Sequence, residues 1–229
     1  MQNHTRRTAL AFALSAISAP AFATQPLLDS LTQGDASRGV RDALGLAAMN
    51  ATTRLGQRNG FFGDGRVKIP LPGLLGAAQQ NLTGFGMSAP LDALQEQINH
   101  AAESTMPEAS TIFVRAVRDM TIGDAIDIVR GPDNSATTYL RERSEDRLTT
   151  LLKPPMREAL TQSGVFTLLR TALRQVGMAS MTNNLRTEVV DFSTAKALDG
   201  CFFFIAQEER AIRTDPVRRT TDILRRVFG

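Results

Sequence analysis

Five polar side chains stand beside apolar stripes at helical spacing: Asn99, Glu103, Glu208, Glu209 and Arg213. Asn99 and Glu103 are four residues apart and adjoin Leu91, Leu94 and Ile98. Glu208 and Glu209 adjoin Leu198, Phe202, Ile205 and Ile212, and Arg213 follows Glu209 by four. A carboxylate on such a face is costly unless paired, because desolvation opposes its charge. Two chemistries suit the pattern. One is a partly buried Asn–Glu–Arg network, either structural or lining a ligand cleft. The other is a hydrolase that uses Glu103 with Glu208 or Glu209, two acids held at a defined separation. Boundary carboxylates with a surface i,i+4 pair remain the plain alternative.

Scarce residue types narrow the chemistry further. Beyond the N-terminal segment the chain has one His (His100), one Cys (Cys201), one Tyr (Tyr139) and no Trp. Zinc and di-iron sites need several His, Cys or Glu-x-x-His ligands, so no metal and no cofactor is expected. Cys201, between Gly200 and three phenylalanines, reads as a buried, inert thiol. A lone His leaves little room for a Ser-His-Asp arrangement, and no G-x-S-x-G elbow occurs. Gly60, Gly63 and Gly65 lack the Lys-Ser/Thr of a phosphate loop and read as turn residues. Asp119, Asp124 and Asp127 read as solvated acids at a helix start.

The elements that must position these groups are helices. Ala195–Arg213 carries apolar residues nearly all the way round, with Phe202, Phe203 and Phe204 sent in three directions, and is expected at the centre of a bundle. Val40, Leu44, Ala47, Ala51 and Leu55 form the stripe of an earlier helix capped by Asp35 or Ser37 and ended by Gly56. Val67, Ile69 and Leu71 alternate with Arg66, Lys68 and Pro70, so residues 65–72 read as an extended arm laid across the helices. Pro70 and Pro72 confine any pairing to an edge. Pro72 opens a helix over 73–83, and Ser88 caps the next. Thr105-x-x-Glu108 around Pro107 predicts a break and a new start, as does Thr121-x-x-Asp124. A further break is predicted at Pro154-Pro155, a connection over 177–186, and a last helix capped by Asp215 and Pro216. The fold class expected is all-α: a single-domain helical bundle over 24–229 around a central apolar helix, with little or no sheet.

Residues 1–23 read as a signal peptide. Arg6 and Arg7 precede the apolar run 9–17, and Ala21-Phe22-Ala23 is an A-x-A cleavage site. General secretion to the periplasm fits better than the twin-arginine route. The 26 Lys+Arg then lose Arg6 and Arg7, leaving 24 against 23 Asp+Glu. That near balance excludes a nucleic-acid footprint, and no later run is apolar enough for an integral membrane protein. One Cys excludes disulfides within the chain.

Several stretches together resemble one family. In order they are Gly34-Asp35-Ala36-Ser37, Val67–Pro72, Ile98–Glu103, Met120–Ala125, Ala136–Leu140, Ala197–Gly200, Ala206–Arg213 and Phe228-Gly229. The chain is similar to the exported bacterial domain-of-unknown-function family numbered 4197. It departs from that pattern at His100, where Arg is expected, and at Cys201, where Leu is expected. The resemblance implies a mostly helical envelope protein and assigns no catalytic residue. The expectation that follows is a non-enzymatic binding or interaction domain whose partner is an envelope protein or a small ligand.

Overall fold

The computed structural model describes residues 32–229 apart from 124, 176 and 178; the expected signal peptide and Asp124 lie outside the described residues. Eight α-helices follow in order: α1 (Gln33–Leu55), α2 (Gly73–Thr83), α3 (Ala89–Asp119), α4 (Ala125–Arg130), α5 (Ser135–Gln162), α6 (Val165–Gln175), α7 (Thr182–Thr214) and α8 (Asp222–Phe228). Short 3₁₀ turns occupy Ala179–Met181 and Pro216–Arg218. No strand occurs among the described residues.

The four long helices α1, α3, α5 and α7 form the body. Each packs chiefly on two of the others, in the cyclic order α1–α3–α5–α7. α7 runs antiparallel to α1, since Asn50 meets Glu208 and Arg54 lies over the Phe204 ring. It runs antiparallel to α5 as well, with Thr137 at Glu209 and Lys153 at Asp191. α7 also touches α3, α6 and α8, as its nearly all-round apolar surface requires. Phe202 is buried edge-on against Phe113 of α3, with ring centroids 5.6 Å apart, and Phe204 is buried under α1. Phe203 turns outward.

The α1 stripe is buried as the spacing requires, and Gly56 closes the helix. Its N-cap is Thr32, not Asp35 or Ser37. The Thr32 hydroxyl accepts from the Asp35 N–H and donates to the Asp35 carboxylate, which also pairs with Arg38 and Arg226. Two predicted breaks are absent. α3 runs straight through Pro107, and Thr105 bonds back to the carbonyls of Ala101 and Ala102 instead of capping a new helix. α5 runs through Pro154 and Pro155. In both helices the buried series continues across the prolines: Ala102, Met106, Ala109 and Phe113 in α3, and Leu148, Leu152, Met156 and Leu160 in α5. Pro107 and Pro154 are exposed and Pro155 is half-buried, so the rings lie away from the buried stripe. Packing of the apolar face outweighs the loss of single hydrogen bonds at these positions. At the C-terminus, Asp215 and Pro216 make only the 3₁₀ turn, and Thr221 caps α8 by accepting from the Leu224 N–H. The connection expected over 177–186 is shorter, because α7 begins at Thr182.

α8 returns to α1. Leu224 joins Ala43 and Ile212 in a buried cluster, with Leu46 and Phe228 packed on it. Gly39 makes the approach possible, since a Cβ there would meet the Val227 side chain at 2.6–2.9 Å.

Cys201 lies fully buried beside Met106, Sγ to Sδ 3.7 Å, and burial pushes the thiol up to about 12. The thiolate is the reactive species. Iodoacetamide at pH 8 is therefore expected to leave the native protein unlabelled and to label it once urea unfolds it. Equal labelling rates in both states would refute the burial.

Candidate functional site

The arm over 65–72 has no backbone partner strand, and a side chain takes that role. Asn99 of α3 accepts from the Ile69 N–H through Oδ1 at 2.8 Å and donates from Nδ2 to the Ile69 carbonyl at 2.9 Å. Both polar groups of a fully buried backbone residue are thereby satisfied by one amide. Val67, Ile69 and Leu71 face inward, and Arg66 and Pro70 outward, as the alternation predicts.

Glu103, one helical turn further along α3, holds the loop that precedes the arm. Its carboxylate accepts from the N–H groups of Asn59, Phe61 and Phe62 at 3.1–3.2 Å. Asn59 adopts the left-handed conformation, φ 62°, which turns the loop so that these amides converge. His100 Nε2 lies 3.3 Å from Asn59 Oδ1 and 3.9 Å from Glu103. The Phe61 ring is driven onto α7 at Gly200, where a Cβ would meet the ring at 2.7 Å. Only glycine lets loop and helix approach so closely.

Glu209 and Arg213 form a second anchor on α7. The Glu209 carboxylate accepts from the N–H groups of Ala136 and Thr137 at 3.0 and 2.8 Å and from the Thr137 hydroxyl at 2.6 Å. It thus satisfies the first turn of α5 and complements that helix's positive end. Arg213 donates to Glu209 Oε1 from Nε and Nη2, and to the carbonyls of Val129 and Ile128 at the end of α4. One ion pair therefore joins the C-terminal end of α4 and the N-terminal end of α5 to α7. Its side chains are 1% and 8% exposed.

Glu208 is outside this network. It accepts from Asn50 Nδ2 at 3.1 Å and lies 3.8 Å from Arg218, a quarter exposed. The structure brings Asn99 and Glu103 together on the loop and arm, and Glu209 and Arg213 together at α4 and α5. Among the described residues no hydrogen bond or ion pair links the first pair to the second or to Glu208. The buried oxygens of Glu103 and Glu209 are occupied by backbone and side-chain donors.

Between the two anchored segments lies a cleft of about 570 Å³. The arm supplies one wall, with Arg66, Lys68 and Pro70. The start of α5 supplies the other, with Thr137, Thr138 and Arg141. The α7 surface between them presents Lys196, Asp199, Gly200, Phe203 and Ala206. Four cations and one carboxylate line it. Asp199 is held by Arg141 at 2.5 Å and Lys196 at 2.9 Å. Burial opposes its charge, but hydrogen bonds from Lys196 and Arg141 outweigh that and keep the carboxyl below its ordinary value. Arg141 also pairs with Glu145, a hydrogen bond that raises the guanidinium above its usual value. The Arg66 side chain grips Asp64 and holds that carboxyl down at about 2. Lys68 rests over the Phe62 ring at 3.9 Å and has no carboxylate partner among the described residues.

None of Arg66, Lys68, Arg141, Lys196 or Asp199 stands out in the sequence, because they lie on three distant elements. One signal does point to them. The stretches 67–72, 136–140, 197–200 and 206–213, which carry much of the family resemblance, each contribute lining to this cleft. Among the described residues there is no group of three or more His, Cys, Asp or Glu that could hold a metal ion, and no helix long and apolar enough to cross a membrane. A family model described as Protein of unknown function (DUF4197) matches residues 30–229. No curated protein and no solved structure matches the chain.

Proposed function

We propose, for a chain that belongs to the DUF4197 family, that it is an exported, non-enzymatic binding domain of the cell envelope, with its binding site in the cleft between arm, α5 and α7. One observation carries the reading. Two pairs of buried polar side chains hold the two walls of this one cleft: Asn99 and Glu103 the arm side, Glu209 and Arg213 the α5 side. Holding a cleft open in advance lowers the ordering cost of binding, which is what a recognition site needs. The same commitment supports a non-enzymatic role, since these acids serve as anchors for backbone amides. Export rests on the basic, apolar and A-x-A order of residues 1–23.

The test is to fill the cleft. Ala206 lines it and is half-buried, so Ala206→Trp places an indole in the space while the outer helix face keeps the fold. Ligand-observed NMR against a library of small polar metabolites is expected to give hits on the wild type that Ala206→Trp loses, with both proteins matched by circular dichroism. Hits that survive the plug would place binding elsewhere and overturn the reading.

A further inference from the structure

We infer that the cleft takes a small molecule bearing an oxyanion on an apolar body, as a phosphate monoester does; this rests on the binding reading above. The protein itself leaves positive charge uncompensated along this cleft. Arg66 shares Asp64 with Arg54, which lies 3.5 Å from the same carboxylate. Arg141 and Lys196 are matched by Glu145 and Asp199. Lys68 has no acidic partner among the described residues and is positioned only by the Phe62 ring. Arg66 itself grips Asp64, so among the described residues Lys68 is the cleft cation left without a carboxylate partner, and it stands on the arm wall. The opposite wall is the first turn of α5, whose positive end is already met by the buried Glu209 carboxylate. An oxyanion is the group that the Lys68 cation would draw.

Geometry limits the rest of the ligand. Asp199 between Arg141 and Lys196 shows that the α7 side of the cleft already seats one oxyanion, with a hydrogen bond from each cation. The ligand's oxyanion therefore belongs on the arm side, at Lys68 and Arg66, and its body belongs over the outward-facing Phe203 ring and Ala206. Gly200, bare because the Phe61 ring occupies its side-chain space, keeps the α7 surface low there. The walls are set by the Asn99, Glu103 and Glu209 anchors, so this arrangement exists before a ligand arrives.

Phenyl phosphate is the probe, with inorganic phosphate and benzyl alcohol beside it, each titrated into 15N-labelled protein. Phenyl phosphate is expected to shift the amide signals of Thr138, Gly200 and Ala206 saturably. Lys68→Gln is expected to weaken it by about tenfold, the size of one charge-assisted contact, while Arg174→Gln on the exposed face of α6 leaves it unchanged. Binding should also weaken with added salt. Inorganic phosphate binding as tightly as phenyl phosphate would overturn the apolar-body part and make the free ion the ligand. Benzyl alcohol shifting the same signals as strongly, with Lys68→Gln without effect, would overturn the anion inference and leave the cleft reading standing. No shift with any of the three also overturns it, and the plugged variant then decides the cleft on its own.

Discussion

Replacing Glu209 by Gln is expected to cost about 3–5 kcal/mol of unfolding free energy, the loss seen when one partner of a buried ion pair is removed. Glu209 is wholly buried and accepts from two amides, a hydroxyl and a guanidinium. A glutamine supplies one oxygen for those donors and turns an NH₂ toward the others, donor facing donor. Arg213 keeps its bonds to Val129 and Ile128 but loses the counter-charge that its burial requires. The neighbouring change Glu208→Gln removes only a solvent-screened contact with Asn50 and Arg218 and should cost about 0–1 kcal/mol. Urea unfolding of the two variants side by side checks the contrast. Equal midpoints would mean that the ion pair does not hold α4 and α5 to α7.

Phe61→Ala is the second large effect, again about 3–5 kcal/mol, from lost burial plus the cavity left behind. The ring has no exposure and fills the space at Gly200 against α7. Its own N–H is one of the three gathered by Glu103, so the side chain and backbone of one residue fix the loop from both sides. The variant should therefore also lose hydrogen-exchange protection at Phe61, Phe62 and Ile69 ahead of the helices. A cost below about 1 kcal/mol would show a ring that the loop can release cheaply, and with it a mobile arm wall.

Much of the helical frame was legible because burial repeats. The α1 stripe, the alternation of Val67, Ile69 and Leu71, and the apolar run of α7 each report a buried face that the structure uses. The prolines misled for a related reason. Pro107, Pro154 and Pro155 signal breaks when read locally, yet Met106, Ala109 and Phe113 carry the buried stripe past the first and Leu152, Met156 and Leu160 past the other two, and tertiary packing decides. At the anchors, the i,i+4 spacing of Glu209 and Arg213 was readable. Their other partners were not, because Thr137 and Val129 lie 72 and 84 residues away in the chain. The cleft is harder still. Its cations come from the arm, α5 and α7, and no spacing rule connects Lys68 with Arg141 or Lys196.

The closure of α8 onto α1 has a consequence in time. Ala43 of α1 is covered by Ile212 and Leu224, and Gly39 by Val227, so the first described helix is sealed by the last. A chain made from its N-terminus forward has to carry that flank of α1 open until α8 has been made. Such distant closures form late and slowly, and the uncovered apolar surface is the part most exposed to aggregation meanwhile. A product cut short before Asp222 never seals it, so making α8 is itself the step that closes this flank of the bundle.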